Sequence, residues 1–140
     1  MRKRALDVVF AADARNRDPI AVMTEREGHD ELPPMGDYAE QIVRGVAAHH
    51  RRIDAVLADH SHGWALDRMP AVDLAILRVG VWELIYSDTP GAVVVDQAVE
   101  LARSLSTDDS PGFVNGVLGR LLDLKPMLAP TPSELTDSVD

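Results

Sequence analysis

Cysteine is absent from the chain, which excludes disulfides, zinc ribbons and thiol catalysis. Aromatic residues make up only 4% of a chain that is 46% hydrophobic, so an aliphatic, helical core is expected. No apolar run reaches membrane-spanning length, and the first residues lack the apolar segment of a signal peptide. A P-loop, a glycine-rich dinucleotide turn after a strand and a Gly-x-Ser-x-Gly elbow are also missing. Without a recognisable nucleophile, cofactor cradle or metal set, neither an enzyme nor a cofactor is expected. What remains is a soluble, cytoplasmic binding protein.

The 140 residues suffice for one domain with a real core. The net charge of −9 argues against indiscriminate binding to nucleic acid. The charge is uneven, however. Among residues 1–17, the cations Arg2, Lys3, Arg4, Arg15 and Arg17 outnumber Asp7 and Asp13 by three. A basic leading segment on an acidic body suggests one local anion site.

Apolar spacing of three and four residues predicts a helix over 2–15. Its leading cations oppose the helix dipole, and that conflict points either to phosphate contacts or to an ordinary solvated terminus. Pro19 opens a second helix to about residue 26, and 28–36, with Pro33-Pro34, reads as a loop. A long amphipathic helix is expected over 37–60, with Tyr38, Ile42, Val46, His49, Ile53, Val56, Leu57 and His60 along its core side. His49 and His60 would lie roughly 16 Å apart along such a helix, too far to share a metal ion. Gly63 is expected to end it, and 64–69 to make a turn or a single helical turn.

Pro70 then opens a segment that is apolar all round to Tyr86, as a central helix would be. Its only ionised residues are Asp73, Arg78 and Glu83, five apart and so unable to meet along the helix. Arg78 and Glu83 suit tethers to other helices; Asp73, near the start, suits an exposed partner contact. A further helix is expected to about Leu105, and 124–140, rich in proline and small polar residues, reads as a mostly disordered tail.

Thr107 to Gly119 carries the densest local instruction. Pro111 fits the first helical position, Ser110 before it can cap, and Asp108 and Asp109 complement the positive end of the dipole. A helix starting at Pro111 places Gly112, Gly116 and Gly119 together, opposite a broad apolar arc of Phe113, Val114, Val117, Leu118, Leu121 and Leu122. A helical glycine costs about 1 kcal/mol against alanine. Tight packing or close backbone approach is the reason expected for three on one face.

Three stretches resemble the family of the bacterial transcription antitermination factor NusB. They are Pro70-Ala-Val-Asp-Leu-Ala-Ile-Leu-Arg-Val-Gly-Val-Trp-Glu-Leu84, Val95-Asp-Gln-Ala-Val-Glu-Leu-Ala102 and Asp109-Ser-Pro-Gly-Phe-Val-Asn-Gly-Val-Leu118. The start, Arg2-Lys-Arg-Ala-Leu-x-x-Val-x-Phe10, is similar to that family's first helix. The resemblance runs over about residues 2–122.

It implies an all-α, NusB-like fold of about seven helices in two packed three-helix bundles, within a domain over 1–123. It further implies binding of boxA-type single-stranded RNA together with the ribosomal protein NusE, within the RNA polymerase antitermination complex. Read-through transcription of ribosomal RNA operons follows from that role. By position, Arg2, Lys3, Arg4, Asp109, Ser110 and Phe113 match the RNA-facing set, and Phe10 and Asp73 match the NusE-facing side. The family usually carries several more arginines before the position of Arg2. Weaker boxA affinity, or a start further upstream, is therefore expected. The alternative function is a homodimeric helical protein-interaction scaffold with weak or no RNA binding.

Overall fold

A computed structural model of the chain describes residues 2–29, 31, 34–61 and 65–128. Among these residues the secondary structure is helical, in the order α1 (Arg2–Arg15), α2 (Pro19–Glu27), α3 (Asp37–Ala48), α4 (His50–His60), α5 (Ala71–Tyr86), α6 (Gly91–Leu105), α7 (Ser110–Asp123) and α8 (Lys125–Leu128), with a 3-10 turn at Leu66–Arg68. No described helix is long and apolar enough to cross a membrane.

Helix α5 organises the rest. Its residues 73–77 and 79–85 are buried, and it packs against α1, α3, α4, α6, α7 and α8. Helices α1, α2 and α3 pack pairwise as one group; α5, α6 and α7 pack pairwise as a second. Helix α4 bridges them, against α3, α5 and α7. The aliphatic interior expected from composition is present, with Met23, Ile42, Ile53, Leu57, Ile76, Leu77, Leu84, Leu118 and Leu121 all fully buried.

Local chemistry explains most helix boundaries. Asp18 caps α2 by accepting the Ile20 N–H at 3.2 Å, and Pro19 supplies the first helical position. Gly36 precedes α3 with φ +85°, a conformation that a side chain would strain. Glycine matters differently at Gly45, where a Cβ would lie 1.8 Å from Trp82 Nε1. The bare backbone there lets the indole pack between α3 and α5.

Three expectations need correction. The single helix over 37–60 is two helices, broken at His49, whose φ of −115° and ψ of 20° leave the helical region. The His49 ring stacks on Tyr86 with centroids 4.0 Å apart. Residues 125–128 are not disordered: α8 packs on α5 and α7, and Arg52 donates to the Leu128 carbonyl at 3.0 Å. Lastly, Gly112, Gly116 and Gly119 do not serve packing within the chain, because a Cβ at any of them would meet nothing within 4 Å. Gly63 as a helix stop, Trp64, Pro33 and the tail from residue 129 lie outside the described residues.

The open glycine face yields a prediction. Gly116→Ala is expected to raise the unfolding free energy by about 0.5–1 kcal/mol, because alanine narrows the unfolded ensemble and meets no obstacle. Urea unfolding checks this. A loss of stability would mean that the face is covered after all.

Candidate functional site

The start of α7 is fixed from beneath by a buried polar cluster. Asp73, in the first turn of α5, is only 2% exposed. It accepts a short hydrogen bond from the Ser106 hydroxyl and another from Ser110 Oγ at 2.9 Å. Ser110 Oγ in turn receives the Thr107 N–H at 3.2 Å and lies 2.7 Å from Thr107 Oγ1. One carboxylate therefore holds the whole connection between α6 and α7.

This geometry revises two assignments. Ser110 is 1% exposed, its hydroxyl points inward, and α7 begins at Ser110 itself with Asp109 as the flanking residue. It does not cap the helix, and its hydroxyl is turned away from solvent. Asp73 is not an exposed partner contact either, since two serine hydroxyls enclose its carboxylate. Both side chains position the site from inside.

What this cluster presents outward is different. Asp108 and Asp109 are exposed, and no side chain caps α7. At this helix start the Ser110 N–H donates to the Thr107 carbonyl at 3.1 Å and Pro111 has no N–H, which leaves the Gly112 N–H as the donor that suits an anion. The Asp109 carbonyl accepts the Phe113 N–H at 3.2 Å, which sets Phe113 one turn into the helix. Its ring is half-buried, with one side against the core cluster. An aromatic ring on a rigid helix start can stack against a planar group.

The basic leader is held at the other end of α5. Arg2 forks onto Glu83, with Nε 2.9 Å from Oε1 and Nη2 3.0 Å from Oε2. The Tyr38 hydroxyl donates to the same Oε2 at 2.7 Å, and the guanidinium carbon lies 5.6 Å from the Tyr38 ring centre. Burial works against the Arg2 charge, but the hydrogen bond and charge of Glu83 outweigh it and raise the guanidinium above its ordinary value. Burial also pushes the Tyr38 phenol up, so it stays protonated and able to donate. Arg4 gives one N–H to the Pro34 carbonyl at 2.7 Å. Lys3 is exposed and forms no ion pair among the described residues.

Glu83 follows Asp73 by ten residues on one helix, so the two anchor points lie roughly 15 Å apart along α5. Of the residues expected to face RNA, Arg2 is therefore anchored near the end of α5 and Ser110 near its start. Phe10, on α1, keeps 37% of its surface exposed, one of few large apolar side chains left in solvent.

The tether reading of α5 is correct for both of its inner charges. Glu83 binds Arg2, while Arg78 Nε and Nη2 reach the Asp54 carboxylate at 2.9 and 3.1 Å and Nη1 reaches Asp13 at 3.2 Å. Sequence reasoning missed Tyr38 as a polar partner, because its place in the apolar stripe hides its hydroxyl. It also missed the link from Asp73 to Ser110. The signal available was a lone carboxylate and a serine-rich junction, which name no pairing by themselves. Among the described residues no group of three or more metal-ligating side chains is placed to hold an ion.

Known proteins resemble this chain over most of its length. The NusB family model matches residues 1–123. The transcription antitermination protein NusB of Nocardioides sp. is 54% identical over 129 residues, covering 91% of this chain and 95% of that protein. The solved structure of T. maritima NusB superposes with a TM-score of 0.77 at 25% identity, covering 96% of this chain and 94% of that one. A chain in the crystal structure of antitermination factors NusB and NusE with double-stranded RNA gives 0.74 at 28% identity, over 88% of this chain and 93% of that one.

Proposed function

The chain belongs to the NusB family of transcription antitermination proteins, and from that premise we propose that it binds boxA-type single-stranded RNA together with the ribosomal protein NusE. The complex would join the RNA polymerase antitermination machinery and support read-through of ribosomal RNA operons. The observation that carries this reading is the likeness, across 88% of the chain, to a chain of a solved complex of NusB and NusE with double-stranded RNA.

The geometry suggests how the work divides. Phe113 supplies an aromatic surface for an unstacked base or a sugar, beside the Gly112 N–H, which suits a phosphate oxygen. Lys3 and Arg4 provide cations for backbone phosphates near the other end of α5. Asp109 sits beside the phosphate position, where its charge disfavours tight backbone contact and tunes affinity downward. Phe10, exposed on α1, offers an apolar anchor to NusE.

Titration of labelled boxA RNA, with and without NusE, tests the proposal. Tighter binding in the presence of NusE, and weaker binding to a scrambled RNA, are the expected results. A chain that forms concentration-dependent dimers in sedimentation and binds neither RNA under any condition would instead be a protein-only scaffold.

A further inference from the structure

One residue of the basic leader stands in surroundings unsuited to a phosphate contact. Arg2 already spends Nε and Nη2 on the two oxygens of Glu83. Glu83 is 1% exposed, within a helix that is apolar all round. For Arg2 to turn towards RNA, that carboxylate would have to remain buried without its counter-charge, which is strongly unfavourable. Four segments converge on the pair: α1 through Arg2, α3 through Tyr38, α5 through Glu83, and the turn before α6 through Thr89, whose hydroxyl lies 3.0 Å from the Tyr38 oxygen.

We propose that Arg2 is a positioning residue, clamped by Glu83 and Tyr38, that fixes the start of α1 so that its neighbour Lys3 carries the phosphate charge. The inference rests on the RNA-binding reading above and assigns charges within it. Two observations separate the neighbours. Arg2 is half-buried and its charge is matched by Glu83, whereas Lys3 is exposed with no ion pair among the described residues. Successive helical residues point about 100° apart, so anchoring Arg2 inward against α5 turns Lys3 outward. The clamp also explains how a helix tolerates a cation at its positive end, since Glu83 supplies the negative charge there.

Counterion release provides a readout that structural damage alone does not move. On single-stranded nucleic acid, each phosphate neutralised contributes about 0.7 to the slope of log affinity against log salt. Binding of boxA RNA in the presence of NusE is measured over a salt series for wild type, Arg2→Gln, Lys3→Gln and Glu83→Gln. Lys3→Gln is expected to flatten the slope by about 0.7. Arg2→Gln is expected to leave it unchanged, even if affinity falls at every salt concentration. Glu83→Gln, by releasing the Arg2 charge, is expected to steepen it by up to the same amount.

A flattened slope in Arg2→Gln would overturn the proposal, as would an unchanged slope in Lys3→Gln. If Arg2→Gln fails to fold, the Arg2 Nε–H resonance of the wild type decides. An unchanged, exchange-protected signal on adding RNA supports the clamp, and a shifted, exposed one refutes it. A wild-type chain that binds no boxA RNA at any salt would sink the RNA reading itself, a result distinct from either slope.

Discussion

Glu83→Ala is expected to lower the unfolding free energy by about 3–5 kcal/mol, the range for removing one partner of a buried ion pair. The carboxylate accepts three hydrogen bonds from Arg2 and one from Tyr38, and all of these acceptors vanish together. The Arg2 charge is then left half-buried beside the Tyr38 ring without its counter-charge, and the Tyr38 hydroxyl loses its charged acceptor. The loss also weakens the joint between the two helix groups, because α1 and α5 belong to different ones. By comparison the exposed pair Arg17 and Glu25, at 2.6 Å, is shorter yet contributes little, since solvent screens it. Urea unfolding of the variant beside Glu25→Ala makes the contrast. Equal effects of the two would mean that solvent reaches the Glu83 carboxylate.

Asp73→Ala is expected to cost about 3 kcal/mol, and its consequence is local as well as global. Two serine hydroxyls lose their shared acceptor, and a buried donor left unmatched costs about 1–3 kcal/mol. The junction between α6 and α7 then loosens, and with it the placement of Asp109 and Phe113. Asp73→Asn keeps one carbonyl acceptor and should lose less than half as much. Hydrogen exchange at the first turns of α7 follows the loosening directly. Protection there that survives Asp73→Ala would mean that packing of Val114 and Val117 alone holds the helix start.

How far the sequence revealed this arrangement differs from residue to residue. The central helix was legible because apolar residues occur all round it, and no other segment combines that with so few charges. Its inner charges were legible as tethers, because an unpaired ion in such a helix is costly. Their partners were not, since Arg2 and Glu83 are 81 positions apart and no local pattern joins them. Ser110 misled for a related reason. A serine before proline has the local signature of a cap, and only the tertiary position of Asp73 turns its hydroxyl inward. The break at His49 was hidden because its residues keep the helical period on both sides. The glycine face of α7 was visible, yet periodicity could not say that the space beside it is open.

The most direct test of the proposed function is the affinity for boxA RNA, with NusE present and salt fixed, of wild type against Phe113→Leu. Leucine keeps the apolar contact with the core and removes only the ring. Stacking of one base on an aromatic side chain is worth about 1–3 kcal/mol, so binding should weaken by about fivefold to a hundredfold while the unfolding midpoint changes little. Equal affinity of the two proteins for boxA RNA would contradict the placement of RNA at the start of α7.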